Sequence, residues 1–388
     1  MRHTLLLARR YLGHHPWRSS VLVVGLALTF FLPLAVELLV TRFEASLVSR
    51  SLATPAVIGA PGSRYDLVLS SLYFEGRTPQ ALRMQEVERL RADHLVVPIP
   101  LLVRGSAAGR PLVGVTHEYY HFRGLVPERG ELPVFLGECV LGARVAAELE
   151  LGPGDPLDTD RGSLYDLGGA YPLRLRVVGV LAAARTPDDG AIFVDLHTAW
   201  IADGLGHGHG AAAEQQDEQV LVRRADGSLV LNASLVEYQE ITPQNADRFH
   251  LHAERADLPL TGLLLDPVDR AALTIVKGRY GVRSDVQLLV PAEVMGELMG
   301  FLFRAKVIFD TNTALVGVAT ALFLGVIVAL SMALRRRERV TLFKLGCARS
   351  TVLRLMGVEL AILLVAGAAL ASVLALVFVA VAERSLSL

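Results

Sequence analysis

Long uncharged apolar runs alternate along this chain with segments of ordinary polarity. The runs cover residues 19–36 with an extension to 40, residues 311–334 and residues 360–382. Each run holds about the 20 apolar residues that an α-helix needs to cross the hydrocarbon core of a bilayer. The pattern therefore predicts three transmembrane helices, which we place at 19–41, 309–334 and 356–382.

The segment between the first two predicted membrane helices, residues 42–308, has a different pattern. Short apolar or alternating stretches predict strands, the first with a turn, at 55–63, 65–74, 96–103, 111–115, 171–181 and 191–194. Helical periodicity predicts helices at 81–92 and 140–149, the second of which is stopped by Gly152-Pro153. Because these elements are short and mixed, they indicate one large α+β domain, and the segment is long enough to bury its own core.

Basic residues indicate the side of the membrane on which each polar segment lies. Residues 1–18 carry four arginines and no acid, and residues 335–355 carry seven Lys or Arg with Glu338 as the only acid. Positively charged flanks remain in the cytoplasm. Both segments are therefore predicted to be cytoplasmic, which leaves 42–308 outside the cytoplasm.

The two ends of the chain are predicted to be short cytoplasmic or interfacial pieces. Residues 1–18 mix leucines with arginines, as expected of a helix that lies on the inner leaflet. A secretory signal peptide is the alternative, although the apolar run that follows is longer than a usual signal core and no clear small-residue cleavage site is present. Residues 383–388 form a C-terminal tail.

The basic segment before the third predicted membrane helix has a familiar spacing. It reads RRRERVTLFKLGCARSTVLRLMGVE over 335–359, with Arg337-Glu338, Leu345-Gly346, Arg349 and Glu359 at fixed distances. This spacing resembles the cytoplasmic coupling segment of FtsX/MacB-like ABC transporter permeases, where a form such as R-E-I-G-x-x-x-x-L-G-A-S-R precedes a membrane helix. Residues 335–355 are therefore a candidate coupling segment.

The middle segment carries the same resemblance. VLGARVAAELELGPGDPL at 140–157 and LRLRVVGVLAAARTPDDGAIFVDLHTAW at 173–200 look like the periplasmic domain of MacB-type permeases. There, an A-x-x-L-x-L-x-x-G-D helix-turn leads into a V-V-G-V strand and a D-x-x-x-F-V strand. The form GDP, in place of the more usual GDT, is a minor departure. The resemblance implies a MacB-like α+β domain over 42–308.

A coupling role for particular residues follows only from the family resemblance. It implies that the ATPase-coupling residues are Glu338, Phe343, Leu345, Gly346, Arg349 and Glu359. Phe343 and Leu345 are expected to fill a groove on an ATPase, and Gly346 is expected to allow a tight turn. Glu338 and Arg349 are expected to pair with charges. Glu359 begins the third membrane helix and is expected to be an interfacial anchor, because a buried carboxylate is costly unless it is paired.

Small residues on two predicted membrane helices indicate close helix contacts. They recur at every fourth position at Gly317, Ala321 and Gly325, and again at Gly367, Ala371 and Ala375. Together with the family resemblance, these faces predict a homodimer or a paired permease. Such permeases usually have four membrane helices. We therefore expect the fourth helix to be lost or truncated in this sequence, or to come from another chain.

Composition narrows the possible functions. The 388 residues are 52% hydrophobic and 20% charged, with a mean hydropathy of +0.43, which excludes an ordinary soluble protein. Acids outnumber cations in the middle segment, which argues against nucleic acid as its partner. The sequence has no phosphate-binding G-x-x-x-x-G-K-[ST] motif and no LSGGQ motif, so ATP is expected to be bound by a partner subunit. No protease-type or redox motif is present either, so the chain is predicted not to be an enzyme by itself and to hold no cofactor of its own.

Histidines provide one candidate metal site. His197, His207 and His209 lie upstream of the acidic stretch EQQDE at 214–218. Neutral imidazoles and carboxylates bind zinc, nickel or copper, so weak metal binding in this loop, with zinc as the first candidate, is one interpretation. The other is a polar Gly/His loop without a specific ligand.

The sequence therefore predicts a multi-pass permease of the bacterial inner (plasma) membrane, in contact with lipids and with an ABC ATPase subunit. It would transmit ATP-driven movement to its periplasmic domain, for export or envelope handling of a lipid, lipoprotein, amphiphile or metal-linked substrate, and a periplasmic lipoprotein is a further possible partner. The alternative is an FtsX-like membrane regulator or sensor that controls an extracytoplasmic enzyme without transporting cargo.

Overall fold

The computed structural model describes residues 2–14, 16–160, 172–208, 221–223, 229–231, 239–242, 244–251, 253–334 and 348–385, with the single residues 340, 344 and 346. Within the described helices and strands, some side chains are also outside the description, among them those of 43–47, 207, 301–306 and 349.

The helices and strands follow one another from the first residues to the last. The helices are α1 (Arg2–His14), α2 (Pro16–Leu52), α3 (Arg64–Tyr73), α4 (Gln85–Asp93), α5 (His117–Arg123), α6 (Ala143–Leu149), α7 (Leu196–Ala202), α8 (Arg270–Gly281), α9 (Pro291–Leu334) and α10 (Arg349–Ser385). The strands are β1 (Ala56–Gly59), β2 (Leu82–Arg83), β3 (Val96–Ala107), β4 (Arg110–Val115), β5 (Pro127–Gly130), β6 (Glu138–Leu141), β7 (Pro156–Asp158), β8 (Leu173–Leu181), β9 (Ile192–Asp195), β10 (Gly206–Gly208), β11 (Leu221–Arg223), β12 (Leu229–Leu231), β13 (Gln239–Glu240), β14 (Phe249–Leu251), β15 (Pro259–Leu260), β16 (Gly262–Pro267) and β17 (Gln287–Leu289).

The chain divides into two compact units. Unit 1 consists of Met1–Ser46 and Leu298–Leu388, and unit 2 consists of Leu47–Glu297. The long helices α2 and α9 each contain a boundary between the units. The sequence placed the extracytoplasmic domain at 42–308, a range that includes unit 2.

Unit 1 is helical. Two of its helices contain a segment long and apolar enough to cross a bilayer: Ser19–Arg42 in α2, with a mean hydropathy of 2.4, and Ser350–Ala382 in α10, with 2.8. Apolar side chains on both helices are exposed, for example Leu28 of α2 at 65% and Val365 of α10 at 70%. Lipid would cover such surfaces. The remaining predicted span, 309–334, lies within α9, whose side chains there are described only in part, so its membrane crossing stays a prediction.

Unit 2 is built around one mixed sheet. Among the described residues, eleven strands join in it, with a central order of β13-β8-β6-β9-β4-β3-β16-β1-β17 and with β5 and β7 also paired to β8. Helices of the unit pack on this sheet, and many residues of its inner strands are fully buried, among them Val140, Phe193 and Leu264. The predicted α+β class is confirmed for this domain.

Both chain connections of unit 2 meet at one edge of the sheet. β1 follows α2 after a short turn, and β17 precedes α9 by one residue. The two strands pair antiparallel, with Val57 opposite Leu289 and Gly59 opposite Gln287. The first and last strands of the unit are therefore joined by backbone hydrogen bonds.

One predicted strand is wrong. Residues 65–74 form most of helix α3, whose first turn is capped by the Ser63 side chain, which accepts a hydrogen bond from the Asp66 backbone N–H at 3.2 Å. The apparent alternation treated the serines as surface positions, but Ser70 and Ser71 are buried. The Ser70 hydroxyl donates to the Asp66 carbonyl at 2.7 Å, so it needs no water.

The helix predicted at 140–149 begins too early. Val140 and Leu141 belong to β6, which lies between β8 and β9 and is completely buried. The strand ends at Gly142, where a Cβ would lie 2.3 Å from the Asp188 carbonyl oxygen, and α6 begins one residue later. An apolar run of this length does not distinguish a buried strand from a helix. The helix predicted at 81–92 begins later, at Gln85 in α4, because Leu82 and Arg83 form strand β2. The other predicted elements of the middle segment are confirmed, with small shifts of their ends.

Candidate functional site

The predicted coupling residues fall at the start of α10 and just before it. Gly346 lies in an exposed turn with a φ of +87°, a conformation that L side chains rarely adopt, as the predicted tight turn requires. Arg349 is the first residue of α10, and Glu359 lies half-buried in its third turn. Glu338, Phe343 and Leu345 are outside the described residues. The coupling roles of all six residues stay predictions.

Within unit 1, α10 packs closely on α2 through a glycine. A Cβ on Gly367 would lie 2.7 Å from the Cβ of Leu26, so the two helices approach as closely as glycine allows. Ala371 and Ala375, on the same face of α10, are 0% exposed. This face, which the sequence assigned to contacts with a second copy, is thus buried inside the chain. The Gly317–Gly325 face of α9 remains a prediction for such a contact.

A buried ion pair within unit 2 fixes the last turn of α2, and the sequence did not predict it. Arg50 and Asp188 have side chains that are only 4% and 1% exposed, and they form two hydrogen bonds, Nη1 to Oδ2 at 2.6 Å and Nη2 to Oδ1 at 2.9 Å. Arg50 Nε also donates to the Leu72 carbonyl oxygen at the end of α3. The guanidinium group therefore ties the end of α2 to α3 and to the turn before β9.

A tyrosine completes this network. The Tyr119 hydroxyl, on α5, donates to Asp188 Oδ1 at 2.5 Å and accepts a hydrogen bond from Arg50 Nη2 at 3.1 Å. Thr186 donates to the other carboxylate oxygen of Asp188 at 2.9 Å. The carboxylate thus accepts four hydrogen bonds, and each strong acceptor site is used.

The charges of the network stabilise one another. Burial alone would raise the pKa of Asp188, but the Arg50 charge and the hydrogen bonds from Arg50 and Tyr119 hold the pKa of this carboxyl below its ordinary value. Burial, and then the negative charge of Asp188, raise the pKa of Tyr119, so the phenol keeps its proton. Arg50 also lies in the last helical turn, where a cation interacts favourably with the helix dipole.

Only part of this network can be read from the sequence. The spacing of Leu47, Arg50, Ser51 and Thr54 puts one cation on an otherwise uncharged helix face, which is a usable signal for a buried arginine. Asp188 is 138 residues away and belongs to an exposed-looking PDDG turn. The pairing of the two residues has no local signal.

The candidate metal ligands are only partly placed by the structure. His197 is the second residue of α7, and its Nε2 atom is buried without a hydrogen-bond partner among the described residues. Burial lowers the pKa of His197, with the nearby Asp195 acting in the opposite direction, so the ring is neutral near pH 7. The backbone of His207 lies in β10 opposite His250, but its side chain and His209 are outside the description. No three metal-binding side chains come together among the described residues, and zinc binding stays a prediction.

His197 also lines a cleft in unit 2. The cleft has a volume of about 350 Å³. One part of its wall is apolar and consists of Met84, Leu196, Trp200, Leu251 and Leu258. Another part is polar and includes Arg91, Thr116, Asp195, His197 and Arg255. A concave surface of this size with a few polar groups has the properties of a small-ligand site.

Comparisons with known proteins give structural similarity only. No protein-family model matches the chain, and no curated protein matches it. The chain is similar to the crystal structure of the periplasmic region of MacB from Actinobacillus actinomycetemcomitans, with 11% identity, a TM-score of 0.36 and coverage of 65% of this chain and 97% of that one. It is also similar to the extracellular domain of the noncanonic ABC-type transporter YknZ from Gram-positive bacteria, with 10% identity, a TM-score of 0.32 and coverage of 60% and 98%.

Proposed function

We propose that this chain is the membrane permease subunit of an FtsX/MacB-like ABC transporter. A separate ATPase subunit hydrolyses ATP, and the permease, which is not itself an enzyme, converts that step into a change of shape of its extracytoplasmic domain. The chain lies in the bacterial inner membrane. Its substrate is a lipid, lipoprotein, amphiphile or metal-linked solute of the envelope.

The observation that carries this proposal is the continuity of α2. One uninterrupted helix holds both the membrane-length segment Ser19–Arg42 and the buried Arg50. Arg42, the last residue of that segment, precedes Arg50 by eight positions in the sequence. A displacement of the membrane segment along the helix axis is therefore delivered to a side chain that is fixed in unit 2 by a buried carboxylate.

The start of the proposed path is the coupling segment. It leads directly into α10, and α10 is packed on α2 where Gly367 meets Leu26. A push on the turn at Gly346 would thus reach α2 through a close helix contact, and Arg50 through the same helix. The ion pair then connects the movement to the turn before β9, a strand near the middle of the sheet.

The test begins with isolation of the full chain from its native membranes. We expect an ABC-type ATPase to purify with it, and we expect the reconstituted pair to hydrolyse ATP. Phe343→Asp places a charge where a buried contact with the ATPase is proposed, so it should reduce ATP hydrolysis by tenfold or more. Val126→Asp, at an apolar residue of unit 2 that is 60% exposed, is the matched control and should leave ATP hydrolysis unchanged.

Two results would contradict the proposal. One is the absence of any ATPase from the purified material. The other is unchanged ATP hydrolysis in the Phe343→Asp protein, which would mean that the coupling segment does not contact the ATPase. A stable ATPase complex whose loss changes no lipid, lipoprotein, amphiphile or metal in the envelope would instead favour the regulator that controls an extracytoplasmic enzyme.

A further inference from the structure

The cleft beside α7 has an apolar wall that is already well ordered. Trp200 is 5% exposed, and its indole N–H donates to the Pro259 carbonyl oxygen at 2.8 Å, so the ring is held in place. Leu258 and Met84, which also line the cleft, are buried at 0% and 3% exposure. The side chains of this wall would lose little conformational freedom when apolar atoms of a ligand bind there.

The charge of the polar wall is positive. Arg91 and Arg255 both line the cleft, and Asp195 is the only carboxylate of the lining. Asp195 is already engaged, because its Oδ2 accepts the backbone N–H of His197 at 2.8 Å as the cap of α7. The neutral ring of His197 adds hydrogen-bonding capacity without charge.

The two guanidinium groups retain free donors. Arg91 approaches Glu118 only to 3.8 Å and Glu88 only to 4.0 Å, distances too long for hydrogen bonds. Arg255 is exposed and forms no ion pair or side-chain hydrogen bond with any residue that the structure describes. Each arginine presents several N–H groups in a planar fork that matches the geometry of a carboxylate. Among the described residues, Arg255 is thus the cation of the cleft without an ionic partner, while Glu118 and Glu88 balance part of the charge of Arg91.

We propose that this cleft binds a small amphiphilic monoanion, whose carboxylate pairs with a guanidinium of the cleft and whose apolar part lies against Leu251 and the edge of Trp200. The volume of about 350 Å³ admits roughly ten groups of the size of a water molecule, which corresponds to a medium-chain carboxylate. A diacyl lipid is too large to enter completely. The inference does not require an ATPase partner, since binding is a property of unit 2 alone.

Trp200 is also a reporter for the test. The chain has two tryptophans, and the other, Trp17, belongs to α2 in unit 1, so Trp17→Phe leaves Trp200 as the only indole. The full-length Trp17→Phe protein in lipid nanodiscs is titrated with octanoate while indole fluorescence is recorded. We expect a saturable change. Octanol and octylamine, which have the same tail without the negative charge, and acetate, which lacks the tail, should bind at least tenfold more weakly.

Substitutions then locate the site. Arg255→Gln, at an exposed residue, and Arg91→Gln, at a half-buried one, should each weaken octanoate binding about tenfold or more in the Trp17→Phe background. Arg174→Gln removes an arginine of β8 that is paired with Asp158 and does not line the cleft, and it should have no effect. The proposal is overturned if octanoate gives no saturable signal, if octanol or octylamine binds equally well, or if both arginine variants bind like the parent protein. None of these results depends on ATP hydrolysis, so a failed coupling test leaves this one unaffected.

Discussion

Removal of the negative charge at Asp188 should destabilise unit 2 severely. In Asp188→Asn, the Arg50 guanidinium keeps its hydrogen bond to the Leu72 carbonyl but loses the only carboxylate that pairs with it in the described structure. Truncating one partner of a buried ion pair costs about 3–5 kcal/mol, because the remaining charge stays buried. A domain is stable by only about 5–15 kcal/mol in total. One neutral substitution would therefore remove a large part of the stability of the unit.

The buried thiol of Cys139 offers a direct assay. Cys139 is 0% exposed in β6, and burial raises the pKa of its thiol, so it reacts only when unit 2 opens. In a Cys347→Ser background it is the single thiol of the chain, and its labelling can be followed against urea concentration in the full-length protein. With a urea dependence of about 3 kcal/mol per molar, the expected loss lowers the labelling midpoint by about 1–2 M.

The controls for this experiment distinguish burial from charge. Asp257→Asn breaks an ion pair to Arg83 of similar length, 3.0 Å, in which both side chains are more than half exposed. Exposed pairs contribute about 0–1 kcal/mol, so the midpoint should hardly move. The double variant Arg50→Met with Asp188→Leu removes both charges and should be more stable than Asp188→Asn. Equal midpoints for Asp188→Asn and Asp257→Asn would refute the assigned role of the buried pair.

Three further outcomes follow from single side chains. Gly367→Leu should push α10 away from α2, lower the stability of the protein by about 1–3 kcal/mol, and reduce both the thermal midpoint and ATP hydrolysis. Gly357→Leu is the control, because the space around Gly357 is open, and it should change none of these. Gly130→Ala should destabilise unit 2 by at least about 2 kcal/mol more than Gly109→Ala, as measured by the Cys139 assay. Both glycines have a φ above +70°, but only at position 130 would the new Cβ meet backbone, 2.1 Å from a carbonyl oxygen. Burial lowers the pKa of His197, so the unfolded chain binds a proton at this residue at a higher pH than the folded chain does. The urea midpoint of Cys139 labelling should therefore fall as pH drops below about 6.5, and His197→Gln should reduce that dependence. An unchanged pH profile in the variant would contradict this reasoning.

Many of the helices and strands could be predicted from the sequence, because each of these elements has a local sequence signal. Uncharged runs of membrane length were identified correctly as helices at α2 and α10, and strands such as β3, β4 and β9 followed from short apolar stretches. The error at 65–74 arose where buried serines imitated surface positions. The Ser70 hydroxyl bonds to its own helix backbone, and no periodicity of side-chain polarity reports this.

The candidate sites were harder to predict from the sequence, because each of them is formed by residues from distant parts of the chain. Arg50 and Asp188 meet only after the sheet has formed, and Arg91, His197 and Arg255 come to one cleft from three separate segments. Family resemblance pointed instead to a basic segment, whose side chains are largely outside the described residues. Sequence thus located the long apolar helices α2 and α10, and the three-dimensional structure was needed for the buried pair and the cleft.

The pairing of β1 with β17 has a consequence for moving unit 2 into another chain. The two strands lie side by side, about 4.8 Å apart, so the chain enters and leaves unit 2 at almost the same point. A domain with neighbouring ends can be inserted into, or exchanged within, another chain without stretching the host. Residues 47–297 therefore have the geometry of a domain that can be grafted between two helices of another chain.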